Sequence, residues 1–340
     1  MNPFTKIVFL CKKHIAYGRA YGLMNSAMFA ANALYAEGVP TQTDIVIDAN
    51  EIDRVVTRDN PSHVVIEALW VTPEKMKELL SIPRHQKRQW VIRLHSKIPF
   101  ISNEGMAFDW ITRYSQLPFP NFTLACNSEE FTDDLDELYP VNTAYLPNIY
   151  QPQEYKNIPK HLKKDKKTID VGCFGAIRPM KNQLIQAVAA VKFANDHELD
   201  LRFHINTNRL EMQGCQVLKN LQKFFGGMSN HLLVQHDWMP HEQFIRLVTE
   251  MDMGLQVSYT ETFNIVAADF VWHMVPMVGS PEIEWLPKMF HADPNSSEDI
   301  AKKMSYAWSW TGYLLRRMSK RNLTNYNVNS LKLWKEFLHV

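Results

Sequence analysis

The chain has 340 residues, 46% of them hydrophobic and 21% charged, with a formal net charge of +1. This composition excludes a disordered chain, and the near-neutral charge excludes a basic nucleic-acid surface spread over the whole protein, though not a local basic patch. The length suits two domains of ordinary size.

The first apolar run, Ile7 to Cys11, is too short for a signal-peptide core. No stretch approaches the roughly 20 apolar residues that span a bilayer. A soluble cytoplasmic protein without membrane insertion is expected. Cys11, Cys126, Cys173 and Cys215 lie far apart with no CxxC pair, so buried free thiols are expected and a structural zinc site is not.

In chain order, the first half alternates short apolar runs with helical patterns. Strands are predicted at "KIVFLC", "TDIVIDA", "HVVIEALW", "QWVIRLHS", "FTLACNS" and "TAYLPN", and helices near Asn25–Glu37, Pro73–Leu80, Glu104–Tyr114 and Glu129–Leu138. Residues 151–167 hold two prolines and six lysines without periodicity, and read as a linker. The alternation then restarts. Strands are predicted at "TIDVGCFG", "LRFHINT", "HLLVQHDW", "MGLQVS" and "PMVGS". Helices are predicted at Gln183–Asn195, Cys215–Phe225, His241–Glu250 and Thr262–His273, then from Ser297 to about Leu315, and over Val328–Leu338. Alternation of this kind predicts an α/β protein with two doubly wound domains and a cleft between them. The predicted domains are 1–150, 168–315 and a helical segment 316–340 packing back toward the first.

Ligands of such folds bind beyond the carboxyl ends of the strands, so the loops there hold the candidate residues. Gly18 and Gly22 flank a polar loop before a helix, where a backbone can approach an anion. His95 falls at the end of the fourth strand, beside Arg93, Ser96 and Lys97. In "VGCFGAIRPMKNQ", Gly175 ends a strand and Arg178 and Lys181 precede a helix, a pairing of cations and helix terminus that suits a diphosphate. Trp238 closes the strand "HLLVQHDW". In "QVSYTETFNIVAADF", Glu261 sits in a turn and Asp269 eight residues on, about 12 Å along a helix axis. Two carboxylates so spaced could hold the two ends of a long hydroxyl-rich ligand. The N–H groups of Thr262, Phe263 and Asn264 at the helix start would then meet phosphates between them. Asp134 and Asp136 have the form of a DxD, but their acidic helical surroundings read as a solvated face.

The pattern Glu261, Phe263, Asp269, Pro276 resembles the signature of GT-B glycosyltransferases of the retaining family four. "CFGAIRPMKN" is similar to that family's diphosphate loop, and the likeness is strong over 168–286 and looser before. The resemblance implies a metal-independent, retaining transfer of a sugar from a nucleotide sugar, such as a UDP- or GDP-sugar, with no other cofactor. Glu261 would bind donor-sugar hydroxyls and Asp269 the ribose. Arg178 and Lys181 would hold the diphosphate, His95 would face the donor sugar, and Gly18 or Gly22 would let amides approach. Gly175, Trp238, Thr262, Phe263 and Asn264 complete the donor-binding set.

Three positions depart from the pattern: Asp269 replaces Glu, Asn264 replaces a Gly, and Met274 stands where a helix-ending Gly is usual. The compact architecture looks like bacteriophage-type enzymes, some of which glycosylate hydroxymethylated bases in DNA; host cytoplasm would then be the location. Two small basic patches, Lys6, Lys12, Lys13, His14 and Arg19, and Arg316, Arg317, Lys320 and Arg321, would meet the DNA. The alternatives are a glycan or lipid-linked acceptor, a nucleotide-binding module without catalysis, and an epimerase. For Tyr306–Arg321, packing is expected over membrane contact.

Overall fold

The computed structural model describes residues 5–13, 21–152, 154–156, 158 and 167–340. The chain divides into two compact units, Met1–Pro152 with Tyr326–Val340, and Gln153–Asn325. Most of the stretch read as a linker lies outside the described residues.

The first unit holds β1 (Ile7–Lys12), β2 (Thr41–Val46), β3 (His63–Glu67), β4 (Gln89–Leu94), β5 (Phe122–Cys126) and β6 (Ala144–Tyr145). They form one parallel sheet in the order β2-β1-β3-β4-β5-β6. Strand side chains alternate between faces, and here both faces are covered. Val8, Leu10, Ile66, Trp90 and Ile92 enter one core, while Phe9, Val65, Val91 and Ala125 enter the other. That is why these strands read as continuous apolar runs.

The second unit holds β7 (Thr168–Gly172), β8 (Asp200–Asn206), β9 (His231–His236), β10 (Met253–Gln256) and β11 (Met277–Gly279). The parallel order is β11-β10-β7-β8-β9. Both units are thus doubly wound α/β sheets, as the alternation predicts.

Helices form at Tyr21–Ala36, Pro73–Ser81, Ala107–Ser115, Glu129–Leu138, Gln183–Asp196, Gly214–Phe225 and His241–Glu250, close to the predicted spans. Thr72 shows the local cause at one start: its hydroxyl accepts from the Lys75 N–H at 3.2 Å, and Pro73 takes the first helical position. A short helix, Ile52–Asp59, lies outside the predicted set. Its three buried apolar residues, Ile52, Val55 and Val56, supply a helical repeat too brief to register.

The C-terminal region also differs from expectation. One helix ends at Trp308 and another runs from Trp310 to Leu338, 29 residues without a gap near Leu315. The break falls at Ser309, whose hydroxyl accepts from the Gly312 N–H at 3.1 Å. Gly312 is required there, because a Cβ would stand 2.0 Å from the Tyr306 carbonyl oxygen. Farther along, Trp334 is fully buried in the first unit. Its ring lies 5.6 Å from that of Phe9 and its N–H donates to the Pro147 carbonyl at 2.9 Å.

The helix Ile265–Trp272 lies close on its sheet because two strand positions lack side chains. A Cβ on Gly254 would be 2.6 Å from the Phe270 ring, and one on Gly172 would be 2.8 Å from it. Phe270 also stacks on Phe174, with centroids 6.0 Å apart and planes within 10°. Gly254→Ala forces this helix outward. It is expected to cost about 1–3 kcal/mol by overpacking and to lower Tm by several degrees in a thermal melt.

Candidate functional site

The strand orders locate where each sheet reverses direction. In the second unit the chain runs outward through β7, β8 and β9, then returns to the other side of β7 as β10. The loops after β7 and β10 therefore flank a topological switch point, where an open α/β sheet leaves a crevice for a ligand. Gly175, Arg178 and Lys181 lie on the first loop. Glu261, Thr262, Phe263 and Asn264 lie on the second, with Asp269 on the helix that follows. The equivalent point in the first unit lies between β1 and β3.

The β7 loop is held by polar side chains. Gln186 ties both loops together: its amide donates to the Lys181 carbonyl at 2.8 Å, and its oxygen accepts from the Val257 N–H at 2.8 Å. Asn182 donates to the Val257 and Pro294 carbonyls at 3.0 and 2.7 Å. Gly175 has φ +119 with open space where a Cβ would point, so backbone conformation, and not crowding, requires glycine there. Its N–H donates to Asn206 Oδ1 at 3.1 Å.

Both cations of this loop have carboxylate partners that sequence reading did not supply. Arg178 Nη1 donates to Glu211 Oε2 at 2.7 Å. Lys181 Nζ donates to Glu261 Oε1. Burial pulls the Lys181 ammonium below the usual lysine value, although the Glu261 charge opposes the shift. Cys173, close by, has its thiol pushed up to about 12 by burial, so it stays protonated and is no nucleophile.

On the β10 loop, the helix begins at Ile265 and not at Thr262. Residues 261–264 form a turn, so the separation of about 12 Å calculated for a continuous helix does not hold. Thr262 and Phe263 precede the helix. Phe263 is buried beside Trp285, whose N–H donates to its carbonyl at 3.0 Å. Asn264 is the cap: its Oδ1 accepts from the Ala267 N–H at 2.9 Å, and its amide donates to Glu261 Oε1 at 3.1 Å.

Asn264 and Met274 have φ of 63° and 64°, both left-handed. These are the two positions where the resemblance expects glycine. Met274 closes the helix with N–H bonds from Met274 to Val271 and from Val275 to Phe270, at 3.1 and 2.9 Å, the paired pattern of a left-handed helix end.

Asp269 is 1% exposed. Its Oδ1 accepts from His241 Nε2 at 3.1 Å, and His241 Nδ1 meets the Tyr155 hydroxyl at 2.9 Å. A buried carboxylate needs such a partner. Burial disfavours the charged imidazole, but the hydrogen bond and charge of Asp269 outweigh it and raise the His241 pKa.

In the first unit, His95 belongs to a buried network. Arg93 Nη1 donates to the Glu67 oxygens at 3.2 and 3.0 Å, and Arg93 Nη2 to Asn148 Oδ1 at 2.5 Å. His95 Nε2 contacts Glu67 Oε2, and Asn127 donates to His95 Nδ1 at 3.3 Å. Burial lowers the His95 pKa, and its Nε2 lies between Glu67 Oε2 and, at 3.3 Å, Arg93 Nη1. Both ring nitrogens are therefore engaged within the protein. Gly22 opens a helix and has open space where a Cβ would point, while Gly18 lies outside the described residues.

No family model and no curated protein matches this chain. Solved structures do. The sucrose-phosphate synthase of Thermosynechococcus elongatus superposes with a TM-score of 0.70 at 10% identity, covering 98% of this chain and 98% of that one. HepE of Anabaena, in complex with UDP and glucose, gives 0.68 at 14% identity, covering 98% and 99%. A trehalose-6-phosphate protein of E. coli bound with UDP-2-fluoro glucose gives 0.66 at 12% identity, covering 98% and 97%. Each likeness runs through both sheets. The fold is GT-B.

Other expected residues take mixed places in this GT-B chain. Trp238 donates its backbone N–H to Asn208 Oδ1 at 2.8 Å and has its ring 5.7 Å from the Arg209 guanidinium, on the loops after β8 and β9. Several cations of the two basic patches are already occupied. Lys6 Nζ donates to the Asp59 carbonyl at 2.8 Å, and Lys320 Nζ to the Trp272 carbonyl at 2.9 Å. Arg316 lies 3.4 Å over the Tyr313 ring. His14 and Arg19 are outside the described residues. Asp136 accepts from the Thr143 N–H at 2.7 Å. Among the described residues, no group of three or more His, Cys, Asp or Glu could hold a metal ion, and no helix is long and apolar enough to cross a membrane.

The His241–Asp269 pair gives a pH-dependent contribution to stability. The histidine's folded-state pKa is raised, so the contribution is fully present below pH 6.5, the ordinary imidazole value, and is lost as pH rises through the raised value. His241→Asn is expected to cost about 3 kcal/mol at low pH, the low end of the range for breaking a buried pair because the ring keeps some exposure. The cost should shrink toward high pH. Urea unfolding of both proteins across pH checks this, and parallel curves would refute it.

Proposed function

We propose that this chain is a glycosyltransferase that moves a sugar from a nucleotide sugar to an acceptor hydroxyl, with retention at the anomeric carbon. The observation that carries the reading is the placement of Arg178, Lys181 and Glu261 on the two loops that flank the switch point of the second GT-B sheet, with Asp269 on the helix that follows. The UDP bound by HepE and the UDP-2-fluoro glucose bound by the E. coli protein support a uridine donor.

In this reading the chemistry is leaving-group stabilisation. Without donor, Lys181 and Arg178 are neutralised by Glu261 and Glu211. A bound diphosphate takes over the two cations, and Glu261 is released toward the donor-sugar hydroxyls. Side-chain cations, and not a metal ion, then meet the charge that develops as the bond to the anomeric carbon breaks. Asp269 holds the nucleoside end, with His241 fixing its carboxylate. His95 is the group of the first unit assigned to the sugar, which it would meet by exchanging its 3.3 Å contact with Asn127.

The test is a panel of UDP-, GDP- and TDP-sugars read by thermal shift and by donor consumption. A ligand at 100 times its Kd stabilises by about 2.7 kcal/mol. Lys181→Gln is expected to lower kcat by roughly 10²–10³-fold, the loss seen when one preorganised donor is removed. Glu261→Gln is expected to abolish transfer while nucleoside-diphosphate binding survives; full activity in that variant rules out its assigned role. Binding without donor consumption by the wild type would instead identify a non-catalytic nucleotide-binding module. Acceptors are assayed in parallel: duplex DNA containing hydroxymethylpyrimidine, glycans and lipid-linked sugars. Transfer to the modified duplex is the outcome that the phage-DNA reading requires.

A further inference from the structure

From Ile300 to Lys335 the sequence has eight lysines and arginines and no aspartate or glutamate. The whole chain carries +1, so the remaining residues together carry −7 (+1 minus +8). Lys302, Lys332 and Lys335 pair with Glu298, Glu336 and Glu37, acids that lie outside the stretch.

The helix Trp310–Leu338 presents part of this charge in a defined way. Trp310, Leu314, Arg317, Met318 and Arg321 fall within an arc of about 100° on one face of a helix of 3.6 residues per turn, over a length of roughly 16 Å. Trp310 is 72% exposed, Leu314 57% and Met318 40%. Arg317 and Arg321 are also exposed. Other residues of the same helix hold it to the second unit. Lys320 does so through the Trp272 carbonyl and ring; Ser319 and Leu323 are buried, and Arg316 covers Tyr313 of its own helix. Burial along this helix is therefore one-sided, and the apolar and cationic face is exposed.

We propose that this face docks the protein on an anionic lipid surface. An indole flanked by aliphatic side chains suits the boundary between headgroups and acyl chains, and arginine stems let their heads remain among lipid phosphates. Charge complementarity selects an anionic surface, because the stretch has no acid of its own to offer a cationic partner. A nucleic acid would use Arg317 and Arg321, but it would leave Leu314 and Met318 in water. The inference does not depend on the proposed transfer reaction, although a docked enzyme would meet acceptors at the same surface.

The test is flotation of the full chain with vesicles of phosphatidylcholine alone and of phosphatidylcholine mixed with phosphatidylglycerol. Binding is expected to the mixed vesicles and to be weak on the neutral ones. Arg317→Ala with Arg321→Ala should weaken binding about fivefold per charge removed, an effect that salt erases. Trp310→Ser with Leu314→Ser and Met318→Ser should weaken it at least about tenfold at any salt. These positions are exposed, so melting temperature and UDP binding should not change in either variant. UDP binding lost in the wild type would count against the transferase reading alone.

Four outcomes overturn the docking proposal: no vesicle binding by the wild type, equal binding to both vesicle types, undiminished binding by the apolar variant, or DNA binding that the arginine variant loses while vesicles are ignored. A dimer in solution that the apolar variant splits, without vesicle binding, would overturn it too.

Discussion

At the switch points of both sheets, buried charges come in opposite pairs: Glu67 with Arg93, Lys181 with Glu261 and Asp269 with His241. An ionised side chain taken out of water unpaired costs several kcal/mol, and removing one member of a buried pair costs nearly as much. These pairs therefore fix the loops that carry them. Gln186 and Asn182 extend the same constraint to the backbone, since each bonds main-chain groups on more than one segment. The result is a polar site whose backbone is held in place, while its cations are paired with carboxylates of the same loops and sheet.

Much of this was legible in the sequence. Strands buried on both faces leave continuous apolar runs, and short runs alternating with helices specify parallel sheets. The loop residues could be chosen because strand ends can be read from the same pattern. The partners of those residues could not. Glu211 lies 33 residues from Arg178 in sequence and His241 lies 28 from Asp269, and neither is marked by periodicity or by a turn signal. Pairings of this kind exist only once the sheet order is known. Local signals failed where they were brief: the helix Ile52–Asp59 offers barely two turns, and the break at Ser309 depends on a contact between Gly312 and the Tyr306 carbonyl that no propensity encodes.

The departures from the glycosyltransferase pattern have a physical form. Asn264 and Met274 bracket the eight-residue helix Ile265–Trp272, and both adopt left-handed backbone that glycine reaches with less strain. Asn264 offsets its strain by capping Ala267 and reaching Glu261, bonds that glycine could not make. Met274 has no such side-chain bond to offer, and its conformation is maintained by the helix-end hydrogen bonds alone. Asp269, one methylene shorter than the Glu of that pattern, is met by the His241 imidazole.

The burial of Trp334 against Phe9 has a consequence for synthesis. A strand from the beginning of the chain and a helix from its end share one core, with Gln153–Asn325 translated between them. At about 5–20 residues per second, the first sheet waits roughly 10–40 seconds for the side chain that completes it. The second unit, contiguous in sequence, meets no such delay. Of the two units, the one begun first is thus the one completed last, and during that interval the face around Phe9 lacks the indole that covers it.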